Sequence, residues 1–336
     1  MMSKGLTSRQ IARLSVLHSI LVETPQFRSV YDAAERAMQM SGIAAEPSCL
    51  LATGLSGSGK STIAKALVHG HPAIETEFRR TMPVLMIDVP AAATAKGLAT
   101  SLLAAMKDNN YARGSVASQT ERIYRLIREC EVRLLILDEF QHLIDEDKRK
   151  IIQTSADWLK SLINMTKVPV LLLGIHKSQR ILDYNEQLRR RFSRIIELHP
   201  YDWGIEAHRK DFRGVIKAIA SRLPFDQAPD LWNHSAAFAL YQASSGLIGH
   251  AIHVIRKASE AAILADETVL SPTRLAEAYD QVIVNLLPRG YAAPRNNPFL
   301  DEKVLERTPL QPGALSLIND SVDTKHLRPH DVLTTR

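Results

Sequence analysis

Apolar and polar positions change rhythm three times along the chain. Ile11, Leu14, Leu17 and Leu21 fall on one face of a helix within 11–22, and 27–40 continues in the same period after Pro25. Short apolar runs then take over at Cys49–Thr53, Val84–Val89, Arg133–Asp138, Val170–Gly174 and Arg194–Leu198, with helical patterns between them at 60–70, 96–107, 119–130, 148–166 and 179–191. Strands that are apolar throughout and separated by helices predict an α/β fold, a five-stranded parallel sheet covered on both faces. After Pro200 the strands stop. Residues 205–222, 230–244, 248–264 and 272–286 read as helices punctuated by Pro224, Pro229, Gly246 and Pro272. Beyond Pro288 the periodicity fades while Pro recurs at 294, 298, 309, 312 and 329. The expected divisions are an N-terminal helical segment at 1–45, an α/β domain at 46–200, a small helical domain at 201–287, and a Pro-rich tail at 288–336, read as an extended, disordered interaction segment.

Composition adds a few exclusions. The 336 residues are 45% hydrophobic, enough for a large core, and their 42 Lys+Arg against 36 Asp+Glu leave a net charge of +6. That mild basicity permits a polyanionic partner without demanding one. Cys49 and Cys130 are too few for a disulfide framework or a thiolate metal site, so a reducing, cytoplasmic setting is expected. No signal peptide is visible, and the longest apolar stretch, Val168–Ile175, falls well short of the roughly 20 residues of a membrane span, so no membrane partner is expected.

The chemistry begins at Gly54-Leu55-Ser56-Gly57-Ser58-Gly59-Lys60-Ser61, which fills the pattern G-x-x-x-x-G-K-[ST] between a strand and a helix. Glycines let the backbone turn its N–H groups toward an anion at a helix start, so residues Gly54 through Thr62 form the expected phosphate-binding set. Lys60 is placed to reach the β- and γ-phosphates and the Ser61 hydroxyl to hold Mg²⁺. The strand Leu134–Leu137 ends in Asp138 and Glu139. Asp138 can hold the metal's hydration shell, and Glu139 can orient and deprotonate a water for attack on the γ-phosphate, which points to nucleotide hydrolysis rather than to a small-molecule kinase. Leu188-Arg189-Arg190-Arg191-Phe192 closes a helix before the last strand, where an arginine can complete a neighbouring subunit's site; Arg191 is the first choice and Arg190 the second. At the end of Val170–Gly174 the candidate γ-phosphate sensor is His176. In the helical domain, Ser245-Gly246-Leu247-Ile248-Gly249-His250 opens a helix from which His250 or Arg256 can contact the nucleotide. His250 and His253 stand at a metal-compatible spacing but without an evident third ligand, so helix packing or capping is the simpler role.

The order of these motifs resembles that of the AAA+ ATPases. Asn185-Glu186-Gln187-Leu188-Arg189-Arg190-Arg191-Phe192 and the lid segment Gly246-Leu247-Ile248-Gly249 narrow the resemblance to the TniB/TnsC family of transposition ATPases, over about residues 25–287. The resemblance implies a P-loop NTPase (AAA+) α/β fold with a small C-terminal all-helical lid domain, and ATP with Mg²⁺ as ligands. It implies a homo-oligomer, ring or helical filament, assembled on double-stranded DNA and dispersed by hydrolysis. It further implies contact with a DDE-type transposase, and with a TniQ-like adaptor or an RNA-guided targeting complex. Lys96 falls where such relatives carry a helix-start lysine in the DNA channel; Arg113 and Ser115 are secondary DNA candidates. The cluster Lys148-Arg149-Lys150 reads as a solvated helix start. Two departures stand out: Gly174-Ile175 replaces the Gly-Thr frequent at the sensor strand, and His250 stands where an arginine is common. The rival readings are a DNA-independent AAA+ motor or secretion-associated ATPase, and a nucleotide-gated scaffold that does not turn over.

Overall fold

Thr7 caps helix α1 (Ser8–Ser19) through a reciprocal bond with Gln10, and Pro25 opens α2 (Pro25–Gln39). These two helices belong to different units, which divides the expected N-terminal segment: α1 joins the C-terminal helices and α2 joins the sheet. The structure is a computed structural model and describes residues 5–77, 79–91, 93–143, 149–183, 185–283 and 297–315. One unit comprises Pro25–Gly54 with Gly59–Leu198. The other takes in the described parts of Met1–Thr24, Leu55–Ser58 and His199–Arg336.

In the first unit the chain runs β1 (Leu50–Gly54), α3 (Lys60–Gly70), a small hairpin of β2 (Ile74–Glu75) and β3 (Arg80–Thr81), then β4 (Val84–Asp88), α4 (Ala95–Ala105), α5 (Val116–Glu129) and β5 (Leu134–Asp138). It continues through α6 (Arg149–Thr166), β6 (Val170–Gly174), α7 (Arg180–Asp183), α8 (Glu186–Arg191) and β7 (Arg194–Leu198). The five long strands form a parallel sheet in the order β4-β5-β6-β1-β7. Strands β1, β5 and β6 are buried along their whole length, as their uninterrupted apolar sequences require. Period-two alternation assigns each side chain to a face. Leu134, Ile136, Leu171 and Leu173 join a core with α2 and α3, whereas Leu135, Leu137, Val170 and Leu172 join one with α4 to α8. Because all five strands are parallel, Gly54, Asp88, Asp138 and Gly174 end them at one edge of the sheet, with Asp88 in register with Asp138.

The expected helix at 179–191 is interrupted. After a 3-10 turn at His176–Gln179 and the short α7, the Asn185 side chain accepts the Leu188 N–H at 2.9 Å and starts α8 afresh. Lys148 of the basic cluster lies outside the described residues.

The second unit holds α9 (Glu206–Ala220), α10 (His234–Ser244), α11 (Ile248–Leu264) and α12 (Pro272–Val282), the four helices expected after Pro200. Its core is aromatic: Trp203 lies with ring centroids 5.1 Å from Phe238 and 5.3 Å from Tyr241, and Phe212 meets Tyr241 edge-on. The expectation of an extended, disordered tail is corrected for residues 297–315, which are part of this core. Gln242 donates to Thr308 O and accepts from Leu310 N, Tyr241 donates to Leu310 O at 2.7 Å, and Val304, Ala314 and Leu315 are buried. The rest of the predicted tail, 288–296 and 316–336, lies outside the described residues. Among the described residues no helix is long and apolar enough to cross a membrane.

Candidate nucleotide-binding site

The glycine-rich segment turns through two left-handed residues, Gly57 at φ +79° and Gly59 at φ +98°, and Gly59 is the N-cap of α3 with no side chain capping the helix. A first helical turn without a side-chain cap, preceded by a loop of this hand, presents N–H groups to an anion. Lys60, the first residue of α3, is only 6% exposed, and its Nζ donates to Gly54 O at 2.7 Å. Ser61 is half-buried and Thr62 exposed. The loop residues Leu55–Ser58 group with the helical unit, where the Gly249 N–H donates to Gly57 O at 2.9 Å. The His250 ring lies against Gly57: a Cβ built there would sit 2.5 Å from Cδ2 and 2.6 Å from Nε2. Burial first, and the neighbouring His253 second, push the His250 imidazole down to about 4, so the ring is neutral near pH 7.

Asp138 ends β5 almost wholly buried, 1% exposed, and accepts the Glu139 N–H at 2.9 Å. Its carboxylate is buried and makes no ion pair among the described residues. Such a group suits a divalent cation. A carboxylate with the Ser61 hydroxyl is a hard oxygen donor set that fits Mg²⁺, an ion that takes its remaining ligands from water and phosphate oxygens. No group of three or more His, Cys, Asp or Glu side chains forms a separate metal cage among the described residues, which leaves His250 and His253 without a third ligand. Glu139 takes a left-handed backbone, φ +54°, and its Oε2 receives the side-chain amide of Gln141. Gln141 also accepts the Ile175 N–H at 3.4 Å. Sequence reasoning missed this glutamine; its only signal was a polar side chain three residues after the metal-holding aspartate.

The remaining predicted residues fall at separate places. His176 starts the 3-10 turn after β6, and its Nε2 lies 3.0 Å from Glu197 Oε1 on β7. The three arginines differ in surroundings. Arg191 is 17% exposed and pairs with Glu46 at 2.8 Å, while its carbonyl accepts Cys49 N–H. Arg190 is 75% exposed and pairs with Glu186 one helical turn back; Arg189 is 67% exposed. Lys96 is exposed in the first turn of α4, just after the capping Thr94. Arg113 is exposed in the loop before α5, and Ser115 caps that helix by accepting Ser118 N–H.

Among solved structures the chain is similar to the ORC2 protein of Aeropyrum pernix in ADPNP–ADP complexes, at 16% identity and TM-score 0.57, covering 83% of this chain and 72% of that one. It is also similar to Cdc6p of Pyrobaculum aerophilum, at 13% identity and TM-score 0.58, covering 80% and 70%. A third is the Aeropyrum pernix ORC1 protein in complex with DNA, at 17% identity and TM-score 0.54, covering 81% and 70%. At such identities the likeness establishes the fold alone. No curated protein matches the chain in sequence. The family model described as bacterial TniB protein matches residues 13–203, more than half of the chain, and spans the sheet, the phosphate loop and the acidic pair. The chain therefore belongs to the TniB family.

Proposed function

We propose that this protein is an ATP-hydrolysing regulator of DNA transposition that oligomerises on duplex DNA and recruits or activates a transposase at the target. The observation that carries the reading is the pairing of a complete phosphate loop with a buried Asp138 and an adjacent Glu139 at the same end of one parallel sheet. A P-loop protein that only binds nucleotide has no need of a carboxylate one residue beyond the metal-holding aspartate. The loop amides and Lys60 hold the phosphates. Ser61 and Asp138 hold Mg²⁺, which when bound neutralises charge on the phosphates. Glu139 orients the attacking water and takes its proton.

An arginine acting across a subunit interface must be available at the surface. Arg190 meets that condition, whereas Arg191 is engaged by Glu46 inside its own unit, so Arg190 is the preferred finger. The neutral His250 at Gly57 suits a lid contact to the loop that adds no charge. Lys96, with Arg113 and Ser115 as secondary contacts, supplies a modest phosphate-binding surface per subunit that repetition in an oligomer multiplies. Family membership and the DNA-bound state of the similar ORC1 support duplex DNA as the polymer bound.

The test has two parts. ATP turnover is compared between wild type and Glu139→Gln, and retention on duplex DNA is measured with and without ATP across a salt series. The reading expects turnover abolished in the variant and ATP-dependent, salt-sensitive retention in the wild type. Turnover without retention would favour a DNA-independent motor. Equal, near-zero rates would favour a nucleotide-gated scaffold.

A further inference from the structure

A hydrolytic site needs its water-activating carboxylate held in one orientation. Here β6 ends in Gly174 and Ile175, neither with a polar side chain, and the next residue, His176, is engaged by Glu197. The end of β6 nevertheless reaches Glu139, through Gln141. The Gln141 amide nitrogen donates to Glu139 Oε2, and its amide oxygen accepts the Ile175 N–H at 3.4 Å. The two partners fix which way the amide faces. A flipped amide would set its oxygen against a carboxylate and its NH₂ against a backbone N–H, two repulsive contacts in place of two attractive ones.

The seat of this side chain is shaped by its neighbours. Gln141 is 9% exposed, so it has little room to swing away. A Cβ at Gly174 would stand 3.0 Å from Gln141 Oε1 and would overlap the buried Ser178 Oγ, so glycine at that position is what lets the glutamine lie across the strand end. Glu139 itself is held at φ +54°, a conformation a non-glycine residue keeps only when its surroundings enforce it.

We infer that Gln141 is the positioning residue for Glu139, carrying through one side-chain amide the link to the end of β6 that no β6 side chain supplies. This rests on the hydrolytic role of Glu139 proposed above. A displacement of Ile175 is then passed to the Glu139 carboxylate by a single pair of hydrogen bonds, while nucleotide affinity, set by the loop and Lys60, is untouched.

The test uses the full chain with duplex DNA and ATP–Mg²⁺. It compares kcat and KM for wild type, Gln141→Met, Gln141→Asn, Glu139→Gln and the double variant Glu139→Gln/Gln141→Met, alongside binding of a non-hydrolysable ATP analogue. Methionine keeps the length and removes both polar ends; asparagine keeps the amide but is one methylene too short to make both bonds. The expectation is a fall in kcat of about tenfold or more in each Gln141 variant, with KM and analogue affinity within about twofold. In the Glu139→Gln background the Gln141→Met change adds nothing, because it acts through the missing carboxylate. Wild-type kcat in both Gln141 variants, beside an inactive Glu139→Gln, would overturn this inference and leave the hydrolytic reading standing. A loss of analogue affinity as large as the loss of rate would overturn it too. Equal, near-zero rates in wild type and Glu139→Gln would remove the hydrolytic reading and this inference with it.

Discussion

Replacing Gly57 by alanine tests how the His250 ring lies on the phosphate loop, and its cost has two separable parts. Gly57 sits at φ +79°, where an L side chain is strained, which for alanine costs about 1–2 kcal/mol. The new Cβ would also lie 2.5 Å from His250 Cδ2 and 2.6 Å from Nε2. Carbon pairs prefer about 3.5–4.0 Å, so the methyl is about 1 Å too close and the ring must move, an overpacking cost of about 1–3 kcal/mol. Together the two come to about 3 kcal/mol, which for a unit of this size lowers the unfolding temperature by about 10 °C. His250→Ala removes the ring and so removes the second part alone. Thermal unfolding of wild type, Gly57→Ala, His250→Ala and the double variant, without nucleotide, therefore gives a coupling of about 1–3 kcal/mol, with the glycine substitution costing less when the histidine is absent. An equal cost for Gly57→Ala in both backgrounds would mean that the ring does not lie on the loop.

Four further outcomes are expected. The His250 ring is held to about 4 against an ordinary 6.5, so the unfolded chain takes the proton first; stability is full above pH 6.5 and falls by about 3 kcal/mol in total as pH drops toward 4. Unfolding of wild type and His250→Asn at pH 7 and pH 5 should show a larger loss in the wild type. Arg190→Ala should leave thermal stability unchanged and lower DNA-stimulated turnover, with activity recovered when it is mixed with a Lys60→Ala chain that supplies the arginine in trans. Arg191→Ala should instead cost about 1 kcal/mol of stability through its pairing with Glu46. Leu315→Ala, at a position the tail's composition gave no reason to suspect, should cost about 2–3 kcal/mol in urea unfolding because the side chain is buried in the core of the helical unit.

Features whose residue types are dictated by local backbone geometry could be read from the sequence. Gly54–Ser61 is legible because a loop turned around an anion needs glycines at fixed steps, and the apolar runs ending at Thr53, Asp138 and Gly174 are legible because buried parallel strands have no polar face to show. The four helices after Pro200 were marked by their periods and by proline. What escaped depended on partners distant in sequence. The break in 179–191 came from one side chain, Asn185, turning back to cap α8, although asparagine is also tolerated inside a helix. The packing of 297–315 rests on Gln242, Tyr241 and Ser245 receiving isolated backbone groups, which leaves no periodic trace. Which of the three arginines turns inward depends on Glu46, more than a hundred positions away, and the role of Gln141 on where β6 ends relative to β5. The separation of α1 from α2 could not be read from two similar amphipathic patterns joined by a proline.

On the proposed function, a triphosphate held by the Gly54–Ser61 loop joins copies of this chain into an assembly on duplex DNA. The most direct measurement is imaging and sedimentation of wild type and Lys60→Ala with duplex DNA and a non-hydrolysable ATP analogue. Ordered coats on the DNA with wild type, and dispersed protein with bare DNA for Lys60→Ala, are the predicted result. Self-association and duplex affinity unchanged by the loss of Lys60 would contradict it.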